Sequence, residues 1–141
     1  MSRAEFAALI RRALGLNASL YRGGFGDVAS NAWYANEIQA IADANIMNGD
    51  ADGSFRPNDS ISREEMAKVL VNAYKIKTGT SEIGSAELSY TDNAEIAVWA
   101  AEYVSRAGEL GLIKGMDDGS FAPKSSMTRA QGAAVIYRLV K

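Results

Sequence analysis

Apolar residues recur with a helical period in three stretches of the chain. The first holds Phe6, Leu9, Ile10, Ala13 and Leu14, the second Met66, Val69, Leu70, Ala73 and Tyr74. The third holds Gly132, Val135, Ile136, Leu139 and Val140. The spacing is i, i+3, i+4, i+7, i+8 each time, which puts one apolar face on a helix. Each stretch opens on the same polar signature: Ser2-Arg3-Ala4-Glu5, Ser62-Arg63-Glu64-Glu65 and Thr128-Arg129-Ala130-Gln131. A hydroxyl at the N-cap with Glu or Gln three residues on is a capping box, in which side chains satisfy two amide hydrogens the helix cannot. Losing one such cap costs about 0.5–2 kcal/mol. The pattern predicts helices over 2–15, 62–75 and 128–140.

Two further helices carry Trp33, Tyr34, Ile38, Ile41 and Asn45, then Trp99, Tyr103, Ala107 and Leu110. They stop at Ile46-Met47-Asn48-Gly49 and Leu112-Ile113-Lys114-Gly115, and tight loops follow as far as Pro57 and Pro123. The order repeats without a gap. Trp33 and Trp99, Gly49 and Gly115, Asp52 and Asp118, Phe55 and Phe121, and Arg63 and Arg129 are each 66 positions apart. Fixed-period self-similarity means stacked supersecondary units. The expected organisation is all-α. Residues 1–16 form the second half of a first unit, 25–76 a second unit, 77–89 (KTGTSEIGSAELS) a linker, and 90–141 a third unit. The first unit's Trp-bearing helix and Asp-Gly loop would precede Met1.

Composition narrows the function. The chain has neither cysteine nor histidine, which removes thiol nucleophiles, disulfides, the commonest general base and the commonest transition-metal ligand. No carboxylate pair stands out for catalysis, so no enzyme is expected and no catalytic residue is assigned. The formal net charge of −2 does not favour nucleic acid, which wants a basic surface. No apolar run is long enough for membrane insertion.

The arginines of the three signatures need a reason. A cation in the first helical turn faces the positive end of the helix dipole. Arg3, Arg63 and Arg129 therefore either pair with a nearby carboxylate, such as Glu64, Glu65 or an Asp of the facing loop, or receive an anion from outside.

Phe25-Gly26-Asp27-Val28, Trp33 to Ile38, Gly49 to Pro57 and Ile61 to Glu65, echoed at Asp92, Trp99 to Val104, Gly115 to Pro123 and Met127 to Gln131, resemble the S-layer homology repeat. The resemblance implies a pseudo-threefold arrangement of helix–loop–helix repeats, here with the first truncated. It implies an extracellular module that anchors a surface protein non-covalently to the bacterial cell wall or S-layer. The ligand it implies is an anionic secondary cell wall polysaccharide, often pyruvylated, held in grooves between repeats by the signature arginines: Arg3, Arg63 and Arg129. On that reading Arg3 works with the second repeat and Arg63 with the third, while Arg129 faces the missing unit and is idle. An arginine fork suits a sugar carboxylate, and the helix N-termini at Ser62 and Thr128 would add amide hydrogens. Asp27 and Asp92 could meet sugar hydroxyls, and Trp33 and Trp99 a sugar face.

Plainer readings stand beside these. Trp33 and Trp99 lie on apolar helical positions, which predicts core packing. Gly49 and Gly115 read as helix C-caps, although glycine also permits close ligand approach. Gly53 and Gly119 read as turn residues with positive φ. A second functional reading starts from Asn48, Asp50, Asp52, Gly53 and Asp59, which resemble an EF-hand calcium loop over 48–59 and hence a dockerin-like, calcium-dependent interaction module. Its twin has Lys114, Met116 and Ser125 at the matching ligand positions. Neither cofactor nor metal is assigned. A face left open by the missing half-repeat would invite a homodimer or another chain.

Overall fold

A computed structural model of the chain describes residues 1–80 and 87–141. Among these described residues five helices form: α1 (Arg3–Leu14), α2 (Ala35–Asp43), α3 (Arg63–Thr78), α4 (Ala101–Glu109) and α5 (Arg129–Val140). Short 3₁₀ turns cover Asn93–Glu95 and Val98–Ala100. Extended pairing among the described residues is limited to the bridges Ser2–Ser60 and Ser62–Ser126, so the fold is all-α.

The three capped helices begin where their signatures place them. Ser2, Ser62 and Thr128 are N-caps, and each capping box is closed in both directions. Gly15 ends α1 at φ 68° and Gly79 ends α3 at φ 76°. The latter helix runs past the expected Lys75 because nothing before Gly79 breaks it. The linker expected over 77–89 thus starts inside a helix, and its residues 81–86 lie outside the described residues.

The other two helices start later than their apolar spacing suggested. Trp33 precedes α2, and Trp99 sits in the 3₁₀ turn before α4. Core packing of these tryptophans is not what forms: Trp33 is 62% exposed and Trp99 47%. The helical period cannot be extrapolated across a helix start, and both rings lie outside it.

Two compact units divide the described chain, Met1–Ser60 and Ile61–Lys141. In the first, α1 packs on α2 around Phe6, Ile10, Ile38, Ile41 and Phe55. In the second, α3 packs on α4 and α5 around Met66, Leu70, Val104, Ile113, Phe121 and Leu139. The division falls inside the second sequence repeat. Each of the first two capped helices buries its face against the Trp-side helix and loop that follow it in the chain, not those that precede it.

Candidate functional site

Each unit is built around an arginine docked on the loop that follows. At the start of α3, Arg63 N–H donates to Ser125 O (3.0 Å) and Glu64 N–H to Pro123 O (3.0 Å). Glu65 N–H donates to the Ser62 hydroxyl (3.2 Å). In the first unit Arg3 and Ala4 donate to Asp59 O and Pro57 O, both at 2.9 Å. The leading amide hydrogens of α1 and α3 are therefore satisfied within the protein, and the hydroxyls of Ser2 and Ser62 serve the caps. The expected reservoir of free amides at the Ser62 helix start is absent because the returning loop occupies it. Thr128 is exposed, and its hydroxyl accepts Gln131 N–H at 3.1 Å.

The side chains of Arg3 and Arg63 follow the same path inward, and each residue is only 5% exposed. Arg63 Nε donates to Phe121 O at 2.7 Å and Nη2 donates to Lys114 O. Nη1 lies 3.7 Å from Met127 Sδ, and the guanidinium stands 4.9 Å above the Phe121 ring. Arg3 Nε donates to Phe55 O at 2.9 Å, with its guanidinium 5.2 Å above the Phe55 ring. Carbonyl oxygens and a ring face, not a carboxylate, receive Arg63. Among the described residues it forms no ion pair, so the expected pairing with Glu64, Glu65 or a loop Asp is not made. Glu64 instead accepts Ala97 N–H at 3.0 Å and pairs with Lys124, while Glu65 closes the capping box. Burial lowers the proton affinity of Arg63, and the charge of Asp92 opposes that shift from a distance. Arg129 begins α5 and is exposed.

Asp27 and Asp92 clamp the two loops. Asp27 accepts Phe55 N–H and Arg56 N–H, both at 2.8 Å. Asp92 accepts Phe121 N–H at 2.8 Å and Ala122 N–H at 2.9 Å. The second donor in each pair, Arg56 or Ala122, holds φ 57°, a left-handed conformation that the clamp helps to stabilise. Both oxygens of each carboxylate are thus engaged by backbone. The N–H groups of Phe121 and then Ala122 hold the Asp92 carboxyl below the ordinary carboxylate range. Its folded pKa lies under its unfolded value of about 3.8, so this stabilisation is complete above that value and disappears as pH falls through the lower folded one. Unfolding midpoints should stay level down to about pH 4 and drop below it. Asp92→Asn should shrink that drop, because an amide takes up no proton in this range; an unchanged acid slope would refute the clamp.

Gly49 and Gly115 are not helix caps. Asn45 (φ 57°) and Gly111 (φ 70°) turn the chain there, with Ile46 N–H reaching Ile41 O at 3.0 Å and Leu112 N–H reaching Ala107 O at 2.9 Å, the Schellman pattern. The two glycines instead make room for a ring. A Cβ on Gly49 would lie 2.6 Å from the Phe25 ring, and one on Gly115 would lie 2.7 Å from the Tyr90 ring. Those rings pack on Phe55 and Phe121, with centroids 5.2 and 5.1 Å apart. Gly53 and Gly119 have φ 85° and 87°, as expected of turn residues.

The acidic side chains of the loop over 48–59 are engaged within the loop. Asp50 pairs with Arg56, whose guanidinium holds the carboxyl below its usual range. Asp52 accepts both the N–H and the hydroxyl of Ser54, and Asp59 lies 3.6 Å from Arg56. Among the described residues no group of three or more carboxylates converges as a metal site, and Asp50 and Asp52 are engaged by Arg56 and Ser54.

Sequence reasoning did not single out three groups near these elements. Lys68 Nζ stands 5.5 Å over the Trp99 ring and 5.6 Å over the Tyr103 ring. Trp33 packs edge-on against Tyr34 at 5.4 Å. An open cleft of about 770 Å³ lies beside the second clamp, between Asp92, Glu95, Ser120 and Lys124. Lys68 reads in the sequence as one more polar position of an amphipathic helix, and nothing local marks the rings it meets.

The S-layer homology domain model matches residues 24–67 and 89–133, more than half of the chain. The chain is 42% identical over its whole length to an amylopullulanase of Thermoanaerobacterium thermosulfurigenes, covering 8% of that protein. It is also 42% identical, again over its whole length, to exoglucanase XynX of Acetivibrio thermocellus, covering 13% of it. A cellulosome-anchoring protein of Acetivibrio thermocellus is 33% identical over 98% of this chain, which covers 31% of that protein. Two of these names describe enzymes of which the matched segment is a small share. No helix among the described residues is long and apolar enough to cross a membrane. The repeated signatures, the all-α fold and the matched model together establish that the chain belongs to the S-layer homology domain family, a non-catalytic cell-surface anchoring module.

Proposed function

We propose that this chain anchors a surface protein to the bacterial cell wall by binding an anionic, carboxylate-bearing secondary cell wall polysaccharide, of which a pyruvylated polymer is the leading example. The observation that carries the reading is Arg63. It is a buried guanidinium with no ion pair among the described residues. A buried charge without an ion-pair partner is costly, and an arriving carboxylate relieves that cost. Nη1, which faces only a thioether sulfur at 3.7 Å, is the donor with capacity to spare. Arg3 and Arg129 occupy the matching positions of their signatures. Exposed Trp33 and Trp99 offer faces for sugar rings, and the Asp27 and Asp92 clamps hold the loops beside them.

The test is co-sedimentation of the chain with purified cell wall, before and after chemical removal of the non-peptidoglycan polymer. Retention should vanish with the polymer. Retention on bare peptidoglycan, or none on intact wall, overturns the reading. A homodimer is the finer proposal for the partner, because Tyr137 and Val140 are 63% and 42% exposed on α5. Sedimentation of Tyr137→Ser beside the unaltered chain tests it, and a monomer in both refutes it.

A further inference from the structure

We propose that Lys68, Trp99 and Tyr103 form a subsite for an acidic sugar, separate from the arginine signature, and that the chain carries this subsite in its second unit alone. The proposal rests on the reading that the chain binds an anionic wall polysaccharide, and it names the residues that would select for the acid.

The cluster is assembled from three elements. Lys68 lies on α3, five residues after Arg63 and so about 7.5 Å further along the helix axis. Trp99 comes from the 3₁₀ turn Val98–Ala100, and Tyr103 from the first turn of α4. The tryptophan and tyrosine are four residues apart and share a side of the chain. The lysine ammonium stands 5.5 and 5.6 Å from the two ring centroids, within cation–π range.

The platform is held in advance of any ligand. Ala97 N–H, just before the turn, donates to the Glu64 carboxylate, which is itself 3% exposed and paired with Lys124. Ala100, at the turn's end, is fully buried. Main chain on both sides of Trp99 is therefore fixed, which lowers the ordering cost of binding.

What the platform presents is unfinished surface. Trp99 remains 47% exposed, and its neighbour Val98 is 93% exposed. Adjacent apolar groups left in water mark a contact site. Among the described residues Lys68 has no carboxylate partner; its interactions are with the two rings. A flat apolar face beside a bare ammonium fits a ligand with a flat apolar face and an anion on its edge. A pyranose carrying a carboxylate has that form. A neutral sugar would use the ring and ignore the lysine.

The first unit lacks this chemistry. In the register of the repeats Lys68 corresponds to Ala8, and Tyr103 corresponds to Glu37. Ala8 is buried, and Glu37 is salt-bridged to Arg11. The tryptophan is kept as Trp33, so the ring platform is repeated while the cation is not. One lysine-centred subsite of this kind, in the second unit, is the consequence.

The test uses the whole chain and polymer purified from a wall that retains it, with binding followed by calorimetry. Three polymer preparations are compared: native, carboxyl-reduced and dephosphorylated. Lys68→Gln should bind native polymer on the order of tenfold more weakly, as expected for one lost charge contact, with a shallower salt dependence. Lys68→Arg should bind as the unaltered chain does. Trp99→Ala should weaken binding to native polymer and equally any binding that remains on carboxyl-reduced polymer. On carboxyl-reduced polymer the unaltered chain and Lys68→Gln should be equal. Equal thermal midpoints of the Lys68 variants would show that folding is not the cause. Native-polymer binding unchanged by Lys68→Gln overturns the subsite and leaves the anchoring reading standing. A Lys68→Gln loss that persists on carboxyl-reduced polymer also overturns it, and if dephosphorylation abolishes that loss the anion is a phosphate. No binding by the unaltered chain overturns both readings.

Discussion

Replacing Arg63 by alanine is expected to destabilise the unit Ile61–Lys141 by about 2–4 kcal/mol, a large part of the 5–15 kcal/mol typical of a whole domain. The substitution removes a charged donor from the buried Phe121 O and the part-buried Lys114 O. It also removes the planar group over the Phe121 ring and leaves a void the length of the side chain. The relief from burying a charge without an ion pair offsets part of this, which is why the loss is not larger. Arg63→Lys should recover only part of the stability, because an ammonium on a flexible stem cannot address two carbonyls as a planar fork does. The two tryptophans report separately, Trp33 from the first unit and Trp99 from the second. Urea unfolding followed by Trp99 fluorescence in a Trp33→Phe background measures the loss directly. A change below about 0.5 kcal/mol, the level of an ordinary surface substitution, would show that the guanidinium is not holding the loop. The same unfolding curves are needed to interpret any wall-binding loss in Arg63 variants.

Gly49→Ala carries the second large effect, also about 2–4 kcal/mol, here in the unit Met1–Ser60. Two costs add. Gly49 holds φ 78°, where an L-residue is strained. Its added Cβ would also lie 2.6 Å from the Phe25 ring and 2.7 Å from Ser54 O. The carbonyl is backbone inside a tight turn, with Asp50 N–H donating to it at 2.8 Å, so it cannot move aside cheaply. Gly115→Ala is the internal control. The ring contact there is similar, at 2.7 Å from Tyr90, but the backbone contact is 3.0 Å and no positive φ is involved. It should cost less, about 1–3 kcal/mol. Equal effects at the two positions would mean that the left-handed conformation contributes nothing. An effect at neither would mean that the ring is free to leave.

The two arginines and the two glycines show where sequence reading succeeds. Helix starts were legible because a capping box is closed within four residues: Ser62 and Glu65 exchange hydrogen bonds with each other wherever the rest of the chain lies. Gly53 and Gly119 were legible for the same reason, since a positive φ in a tight turn is a local demand. The repeat and the all-α class followed from summing such signals at a constant interval, and the family followed from the combined motif.

Tertiary structure decided the rest. Apolar period says which face of a helix is buried but not against what. Only the fold shows that Arg3 reaches Phe55, 52 residues on, and that Arg63 reaches Phe121, 58 residues on. Trp33 and Trp99 looked like core because the period ran through them, yet α2 and α4 begin after them and leave their rings in solvent. Gly49 and Gly115 looked like caps because a helix ended nearby. Their actual constraint is an aromatic ring from about 25 residues earlier, at Phe25 and Tyr90. Lys68 had no signal of its own, because a surface lysine acquires meaning only from the rings that the fold sets beneath it. Short-range hydrogen bonding and backbone dihedrals are written in consecutive residues, so the sequence alone determined the starts of the three capped helices, the tight turns and the family. Burial, stacking and unpaired charge are properties of residues distant in the chain, and those are the properties from which a binding surface is made.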